Sequence, residues 1–194
     1  NNFVAGNVDL IMANATPALQ AAVSGTDTIP ILGTSVTEYG VALGIDNFNG
    51  TVGGNVSGTS DLAPLDGQAA MIQELFPEAK KVGLLYCSAE ANSQYQIDVV
   101  TEELTKLGYE CTPYSFSDSN DLATVATSAA ENSDVIYVPT DNKCADNTGI
   151  IDNVCRPAKV PVVAGEEGIA SGCGVATLSI SYYDIGYQTG VMAA

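Results

Sequence analysis

Short apolar runs in this chain end repeatedly in small hydroxyl and amide side chains, which form hydrogen bonds without carrying charge. Four such junctions lie at residues 14–17, 33–37, 87–93 and 139–142. The carboxyl ends of parallel strands face the ligand crevice of an open α/β sheet, so we expect these loops to converge there. They contain no evident nucleophile–base pair. The pattern favours a site that holds a small polar molecule over one that transforms it.

The junction at 87–93 predicts a binding site for a carboxylate. A helix N-terminus carries partial positive charge and exposed N–H groups, and neighbouring hydroxyls can complete an anion pocket without Arg or Lys. Ser88, Asn92 and Ser93 are the best candidates for this role. The alternative is plain helix capping, which Thr16, Ser88, Asn92 and Asn142 could equally perform.

A ligand with an amine would also need an acceptor at the same edge. The segment 165–168 follows an apolar run and supplies Glu166 and Glu167, either of which could pair with an ammonium group. Asp141 is a weaker alternative. These glutamates could instead enrich the first turn of a short helix, and the sequence leaves both interpretations open.

Composition excludes several classes of function. The 194 residues are 46% apolar and include 23 acids, 6 bases and no histidine, for a net charge of −17. Such a surface repels nucleic acid and anionic membranes. The absence of histidine removes the commonest general base and metal ligand, and no phosphate-binding glycine motif is present. We therefore predict no catalytic residues, no metal, no cofactor and no enzymatic activity.

The five cysteines show no Cys-x-x-Cys spacing, so they predict neither a zinc site nor a redox motif. They are Cys87, Cys111, Cys144, Cys155 and Cys173. We interpret most of them as small core residues. Because the set is odd, at least one must stay unpaired within the chain.

Strand and helix patterns alternate along the chain, which is typical of parallel sheets covered by helices on both faces. Strands are predicted near 8–13, 29–33, 81–86, 109–116, 134–138, 160–164 and 174–179. Helices are predicted near 16–24, 63–76, 92–107, 120–131 and 143–156. Residues 2–6 resemble the last turn of a helix, and 187–194 resemble a helix that continues.

Residues 50–60 interrupt this alternation with four glycines and no large apolar side chain apart from two valines. Glycine tolerates large dihedral changes, so the segment suits a hinge or a crossing between two lobes. A surface loop is the alternative. A second joint is predicted near 179–181.

Six strings of residues, in order along the chain, resemble the ABC-transporter substrate-binding proteins of the tryptophan-binding type. They are 15–20 (ATPALQ), 35–37 (SVT), 53–61 (GGNVSGTSD), 74–77 (ELFP), 139–142 (PTDN) and 182–190 (YYDIGYQTG). Any one string would carry little information, but six in the same order are specific.

The resemblance implies two Rossmann-like lobes of the type I periplasmic-binding fold, with parallel sheets and the ligand between the lobes. The first lobe would be incomplete in this chain. The implied division is 1–52 for the partial first lobe, 53–59 for the hinge, 60–176 for the second lobe and 177–194 for the returning segment and helix. The implied ligand is an amino acid, possibly Trp, Tyr or Phe, delivered to an ABC permease. The implied location is extracytoplasmic, either periplasmic or lipid-anchored.

The resemblance also implies which side chains line the cleft. Those from the first lobe would be Thr16, Gln20, Ser35 and Thr37. Those from the second would be Ser88, Asn92, Ser93, Thr140 and Asn142, with Glu166 for the amine. Glu166 and Glu167 replace what is more often a Ser-Asp or Asp-Ser pair. The alternative function is a ligand sensor, in which the same bilobed domain regulates a signalling or transcription protein.

Overall fold

The computed structural model describes residues 2–194, which form two compact units. The first unit comprises residues 2–62 and 180–194, and the second comprises Ala63–Ser179. Every strand pair named below is parallel. The predicted α/β class with parallel sheets is therefore confirmed.

The first unit contains a three-stranded sheet in the order β1-β2-β3. Its elements are α1 (Asn2–Ala5), β1 (Ile11–Asn14), α2 (Thr16–Val23), β2 (Ile31–Val36), α3 (Tyr39–Leu43), β3 (Val56–Ser60) and α10 (Tyr182–Ala193). Its core includes Leu19 of α2 and Ile31 of β2, both fully buried.

The second unit contains a five-stranded sheet in the order β5-β4-β6-β7-β8. Its elements are α4 (Leu65–Leu75), β4 (Lys81–Cys87), α5 (Ala91–Lys106), β5 (Glu110–Phe116), α6 (Ser119–Asn132), β6 (Val135–Val138), α7 (Asn142–Asp146), α8 (Thr148–Ala158), β7 (Val162–Ala164), α9 (Glu167–Cys173) and β8 (Ala176–Thr177).

The central strands β4 and β6 explain why this unit has a core on each face of its sheet. Alternate residues of a strand point to opposite faces. Leu85 and Ile136 enter a cluster that includes residues of α6 and α8, whereas Leu84 and Tyr137 enter a cluster that includes residues of α4 and α5. A strand buried on both faces needs a continuous apolar run, and β4 and β6 each provide one.

The helix predicted over 92–107 has an amphipathic stripe. Ile97, Val100 and Leu104 recur at helical spacing and are at most 3% exposed. Leu107, the next residue at this spacing, is 36% exposed, and it is the C-cap of a helix that ends at Lys106. The stripe packs into the core with residues of α4.

The second half of the segment predicted as a hinge, 53–59, belongs to β3. Gly58 of β3 pairs in register with Gly33 of β2, and the Tyr39 side chain lies against both. The Tyr39 hydroxyl donates to the carbonyl of Thr59 at 3.0 Å. A Cβ on either glycine would collide with that hydroxyl. These two glycines therefore permit close packing of an aromatic ring.

The unit boundaries also differ from those expected. They fall after Leu62 and after Ser179, whereas the expected second lobe ran over 60–176. The displacement at the first boundary follows from β3, which pairs with β2 and so keeps residues 56–60 within the first unit.

Several short elements depart from the sequence prediction. The helix expected over 143–156 is two helices, α7 and α8, because Asn147 has a non-helical φ of −129°. The helices α3 and α9 span five and seven residues, too few to show a clear period. The last strand is only Ala176–Thr177.

No helix within residues 2–194 combines the length and the apolar character that a membrane crossing requires.

Asp134 ties the start of β4 to the start of β6 and gives a pH-dependent prediction. Its Oδ2 accepts from the backbone N–H groups of Lys80 at 2.8 Å and Lys81 at 2.9 Å, and these bonds lower its pKa. A lowered folded-state pKa stabilises the fold above the unfolded-state pKa, and this stability is lost as pH falls through the folded-state value. We expect Asp134→Asn to lose about 1 kcal/mol at pH 7. Urea titrations at pH 7 and pH 3 should show the difference from wild type shrinking at the lower pH, whereas an equal difference at both would contradict the assignment.

Candidate functional site

The strand order of the second unit creates a crevice at the carboxyl edge of its sheet. In a sheet with this order, the connections diverge between β4 and β6, and ligands bind at such a switch point. The loops that follow these strands are 88–90 and 139–141. They are two of the four polar junctions identified in the sequence.

The carboxylate of Asp141 connects these two loops through hydrogen bonds. Its Oδ2 accepts from the Cys87 N–H and the Ser93 hydroxyl, both at 2.7 Å, and its Oδ1 accepts from the Cys144 N–H at 2.8 Å. Asp141 is 1% exposed. Burial and then the negative charge of Glu90 raise its pKa, against the effect of the three donated bonds. Asp141 therefore acts as an internal anchor that caps α7.

Glu90 makes a second connection between the same loops. Its Oε2 accepts from the Asn142 side-chain amide at 2.6 Å and the Asn142 N–H at 3.2 Å, and its Oε1 accepts from the Lys143 N–H at 3.0 Å. Although Glu90 immediately precedes α5, its carboxylate accepts hydrogen bonds from backbone N–H groups in the first turn of α7. No local pattern indicates this role, because the partners lie 52 and 53 residues away.

Thr140 is held through its backbone by two amide side chains of α5. Gln96 accepts from the Thr140 N–H at 3.0 Å and donates to its carbonyl at 2.9 Å, and Asn92 donates to the same carbonyl at 3.2 Å. Gln96 was not among the predicted site residues. The Asn92 Oδ1 atom is buried and has no hydrogen-bond partner among residues 2–194.

The helices that follow strands of this sheet differ in how their N-termini are satisfied. Asp118 caps α6, Asp141 caps α7, and Glu166 caps α9 by accepting from Gly168 N–H at 2.6 Å and from Ile169 N–H. The N-terminus of α5 has no side-chain cap.

The open N-terminus of α5 is suited to an anion. Within residues 2–194, the N–H groups of Ala91 and Asn92 have no acceptor, whereas those of Ser93 and Gln94 donate to the Glu90 carbonyl. Ser88 is exposed beside this turn, and its hydroxyl donates to the Phe116 carbonyl at 3.2 Å. The unpaired N–H groups and the helix dipole are features that favour a carboxylate at a helix N-terminus.

The other predicted side chains of this unit lie at the same edge with different exposures. Ser93 is fully buried and Asn92 is 4% exposed, so both support the loops from within. Asn142 is exposed and Thr140 is half-buried. Glu166 is 8% exposed, and both of its oxygens accept backbone bonds, as expected from the capping alternative.

In the first unit, three of the four predicted side chains lie at the carboxyl edge of the small sheet. Thr16 is 3% exposed in the first turn of α2, which also has no side-chain cap. Ser35 has a φ of +53° where the β2–β3 register shifts. Thr37 is 2% exposed, and its carbonyl accepts from the Ser60 hydroxyl at 2.8 Å. Gln20 lies one turn into α2 and donates to the Ala42 carbonyl at 2.8 Å.

Comparison with known proteins decides the family. The profile of the ABC transporter substrate-binding proteins matches residues 1–194. The chain belongs to this family. The resemblance inferred from the six sequence strings is thus confirmed.

Individual relatives of this substrate-binding protein agree in fold. The tyrosine-binding protein of Clostridioides difficile is 37% identical over 193 residues, which cover 100% of this chain and 56% of that protein. An L-Trp complex of an ABC domain from Streptococcus pneumoniae superposes with a TM-score of 0.94 at 30% identity, covering 99% of this chain and 66% of that one. A ligand-free, open substrate-binding protein with adhesive properties from Clostridium difficile gives 0.66 at 36% identity, with 99% and 65% covered.

These comparisons show the fold class and how much of the fold this chain spans. The chain spans just over half of the tyrosine-binding protein and about two-thirds of the two solved structures. A leucine-binding protein from Thermotoga maritima, 17% identical with a TM-score of 0.58, shares the fold. The type I periplasmic-binding architecture, present here as a partial domain, is therefore confirmed. Substrate-binding proteins bind solutes without transforming them, consistent with a non-enzymatic protein.

Proposed function

We propose that this protein is the extracytoplasmic solute-binding component of an ABC importer and that it binds an aromatic amino acid in a cleft between its two lobes. The observation that carries the proposal is the open N-terminus of α5 at the switch point of the second unit. The relatives that bind tyrosine and L-Trp support an aromatic amino acid as the ligand.

The ligand carboxylate binds at the first turn of α5. The N–H groups of Ala91 and Asn92 donate to it, and Ser88 lies exposed beside them. A helix N-terminus is equivalent to roughly half a positive charge, which replaces the Arg or Lys that other carboxylate sites use. Since all six basic residues of the chain lie within 80–159 and none within 1–62, a neutral mode of recognition suits the first unit.

The ammonium group of the ligand is accepted at the same edge. Glu166 contributes its negative charge while its oxygens cap α9, and Asn92 Oδ1 is a buried acceptor that has no donor among residues 2–194. Thr140 and Asn142 complete this half of the site, with Ser93 beneath it. Thr16, Gln20, Ser35 and Thr37 form the half-site of the first unit.

The partners follow from this role. The closed, ligand-bound protein delivers the amino acid to an ABC permease, and the protein resides outside the cytoplasm, in a periplasm or anchored by a lipid to the outer face of the membrane. Closure of the lobes occurs at the crossings near Leu62 and Ser179, where the two units divide.

A thermal-shift experiment on the intact protein tests the proposal. We expect L-Tyr, L-Trp or L-Phe to raise the melting temperature, because a ligand that binds only the folded state stabilises it by mass action. The corresponding amino acid amides, which lack the carboxylate, should give no shift at the same concentration. Equal shifts with acid and amide would exclude the α5 site, and no shift with any of the three acids would exclude an aromatic amino acid.

A further inference from the structure

Two thiols outside the proposed ligand site share a cavity. All five cysteines are free in the structure. Cys155, at 2% exposure, and Cys173, which is half-buried, both line a cavity of about 480 Å³ beside the start of β7. The same cavity is lined by Arg156 and Lys159, whose side chains are exposed, so small solutes can enter it.

Backbone bonds place the last turns of α8 and α9 at one edge of the sheet. The N–H of Val160, just before β7, donates to the carbonyl of Cys155 at 3.1 Å. The N–H of Val175, just before β8, donates to the carbonyl of Val162 at 2.8 Å. Because β7 and β8 are adjacent parallel strands, the helix ends that lead into them are neighbours. Cys155 and Cys173 lie on those two helix ends.

The electrostatic environment agrees with this placement. Burial raises the pKa of Cys155 to about 11. Burial, and then the charge of Cys155 as the leading neighbour, raises the pKa of Cys173 to about 12. Both thiols are therefore largely protonated at neutral pH.

We propose that Cys155 and Cys173 are a modification site that forms a disulfide between α8 and α9 when a disulfide oxidant enters the cavity. The small fraction of the more exposed Cys173 that has lost its proton to solvent attacks the oxidant as the thiolate, forms a mixed disulfide and releases one thiol. Cys155 then attacks the Cys173 sulfur and releases the second thiol. The protein loses two electrons and two protons, and the oxidant disulfide gains both and becomes two thiols.

Cys144 is the competing partner for Cys173, since Cys173 packs against the core cluster that contains Cys144 and its charge is among the causes that raise the pKa of Cys144. It is fully buried and is not among the residues that line the cavity. Its N–H is held by Asp141 at 2.8 Å, within the network beneath the ligand site. An oxidant that enters by the cavity therefore meets Cys173 and Cys155.

The bond would enclose residues 156–172, which include β7 and the Glu166 cap of α9. A covalent link of this kind restricts the unfolded chain and holds α9 against α8.

Peptide mapping of the intact protein tests this proposal. The protein is incubated with excess oxidised glutathione, alkylated, and digested with trypsin under denaturing, non-reducing conditions. Lys159 is the only usable cleavage site between the two cysteines, because Arg156 precedes Pro157. We expect peptide 144–159 to be linked to the peptide that begins at Val160, and titratable thiols to fall from five to three. Peptide 144–159 contains both Cys144 and Cys155. Fragmentation of the linked peptide shows which of these two sulfurs is bonded to Cys173, and it needs no variant.

Two serine variants separate the competing partners. Cys155→Ser should abolish the link, and Cys144→Ser should retain it. Five remaining thiols, a glutathione adduct on Cys173 without a link, or a link that persists in Cys155→Ser would each overturn the proposal.

Discussion

We expect Ala91→Pro to weaken the binding of L-Tyr or L-Trp by about 10- to 100-fold, because a hydrogen bond to a charged group contributes about 1.5–3 kcal/mol. The substitution deletes one of the two N–H groups at the first turn of α5 that have no acceptor within residues 2–194. Isothermal titration calorimetry on both proteins measures the ratio of the dissociation constants.

The substitution should leave the fold intact. Ala91 is the first residue of α5, the position where proline is best tolerated in a helix. The preceding residue, Glu90, has φ −109° and ψ 113°, the extended conformation that a following proline requires. Thermal melting without ligand should therefore be close to that of wild type.

A matched control exists on the same sheet edge. Ser119 is the exposed first residue of α6, and Asp118 before it is extended, with φ −145° and ψ 147°. Asp118 caps α6 through the N–H of Asn120 at 2.7 Å, so the N–H of Ser119 has no part in the proposed site. Ser119→Pro should retain wild-type affinity. If Ala91→Pro also retained it, the carboxylate would have to bind elsewhere.

Asp141→Asn should destabilise the protein by about 2–3 kcal/mol, because an asparagine cannot accept all three bonds that Asp141 receives. If the amide oxygen of the asparagine accepts from Cys87 and Ser93, its NH2 group faces the N–H of Cys144, and two donors then point at each other. Removal of a buried charge is favourable by itself. This gain is small, because three donors already compensate the charge of Asp141. The cost of leaving a buried N–H without an acceptor is therefore larger than the gain.

Urea denaturation of Asp141→Asn, compared with Asp146→Asn, measures this effect. Asp146 lies on the same helix α7 but is exposed and makes no side-chain hydrogen bond within residues 2–194. We expect a change within about 0.5 kcal/mol for the control. Equal stability of both variants would show that Asp141 does not anchor the loops.

The sequence was informative about the loops of the site and uninformative about how they are joined. Apolar runs in β4 and β6 mark strands whose ends hold polar side chains, so residues near Ser88 and Thr140 could be found by local reasoning. Glu90 could not, because its carboxylate serves a helix 52 residues further along the chain. Glu166 and Asn92 fit both capping and ligand binding, and only coordinates separate a capped helix from an open one.

The same limit explains the departures in the fold. The strand β3, with the sequence Val-Ser-Gly-Thr-Ser, has no apolar alternation, and it exists because it pairs with β2 beside the Tyr39 ring. Local composition predicts flexibility there. The long-range contact, which composition does not encode, produces an ordered strand.

The bonds from Glu90 and Asp141 to the first turn of α7 have a thermodynamic consequence for the arriving solute. These bonds hold the two crevice loops in one arrangement. A flexible site would lose conformational entropy when it binds the solute. Here that entropy has already been lost during folding. At the proposed site, we therefore expect contacts between the solute and the open helix end to contribute to affinity without first having to order the loops.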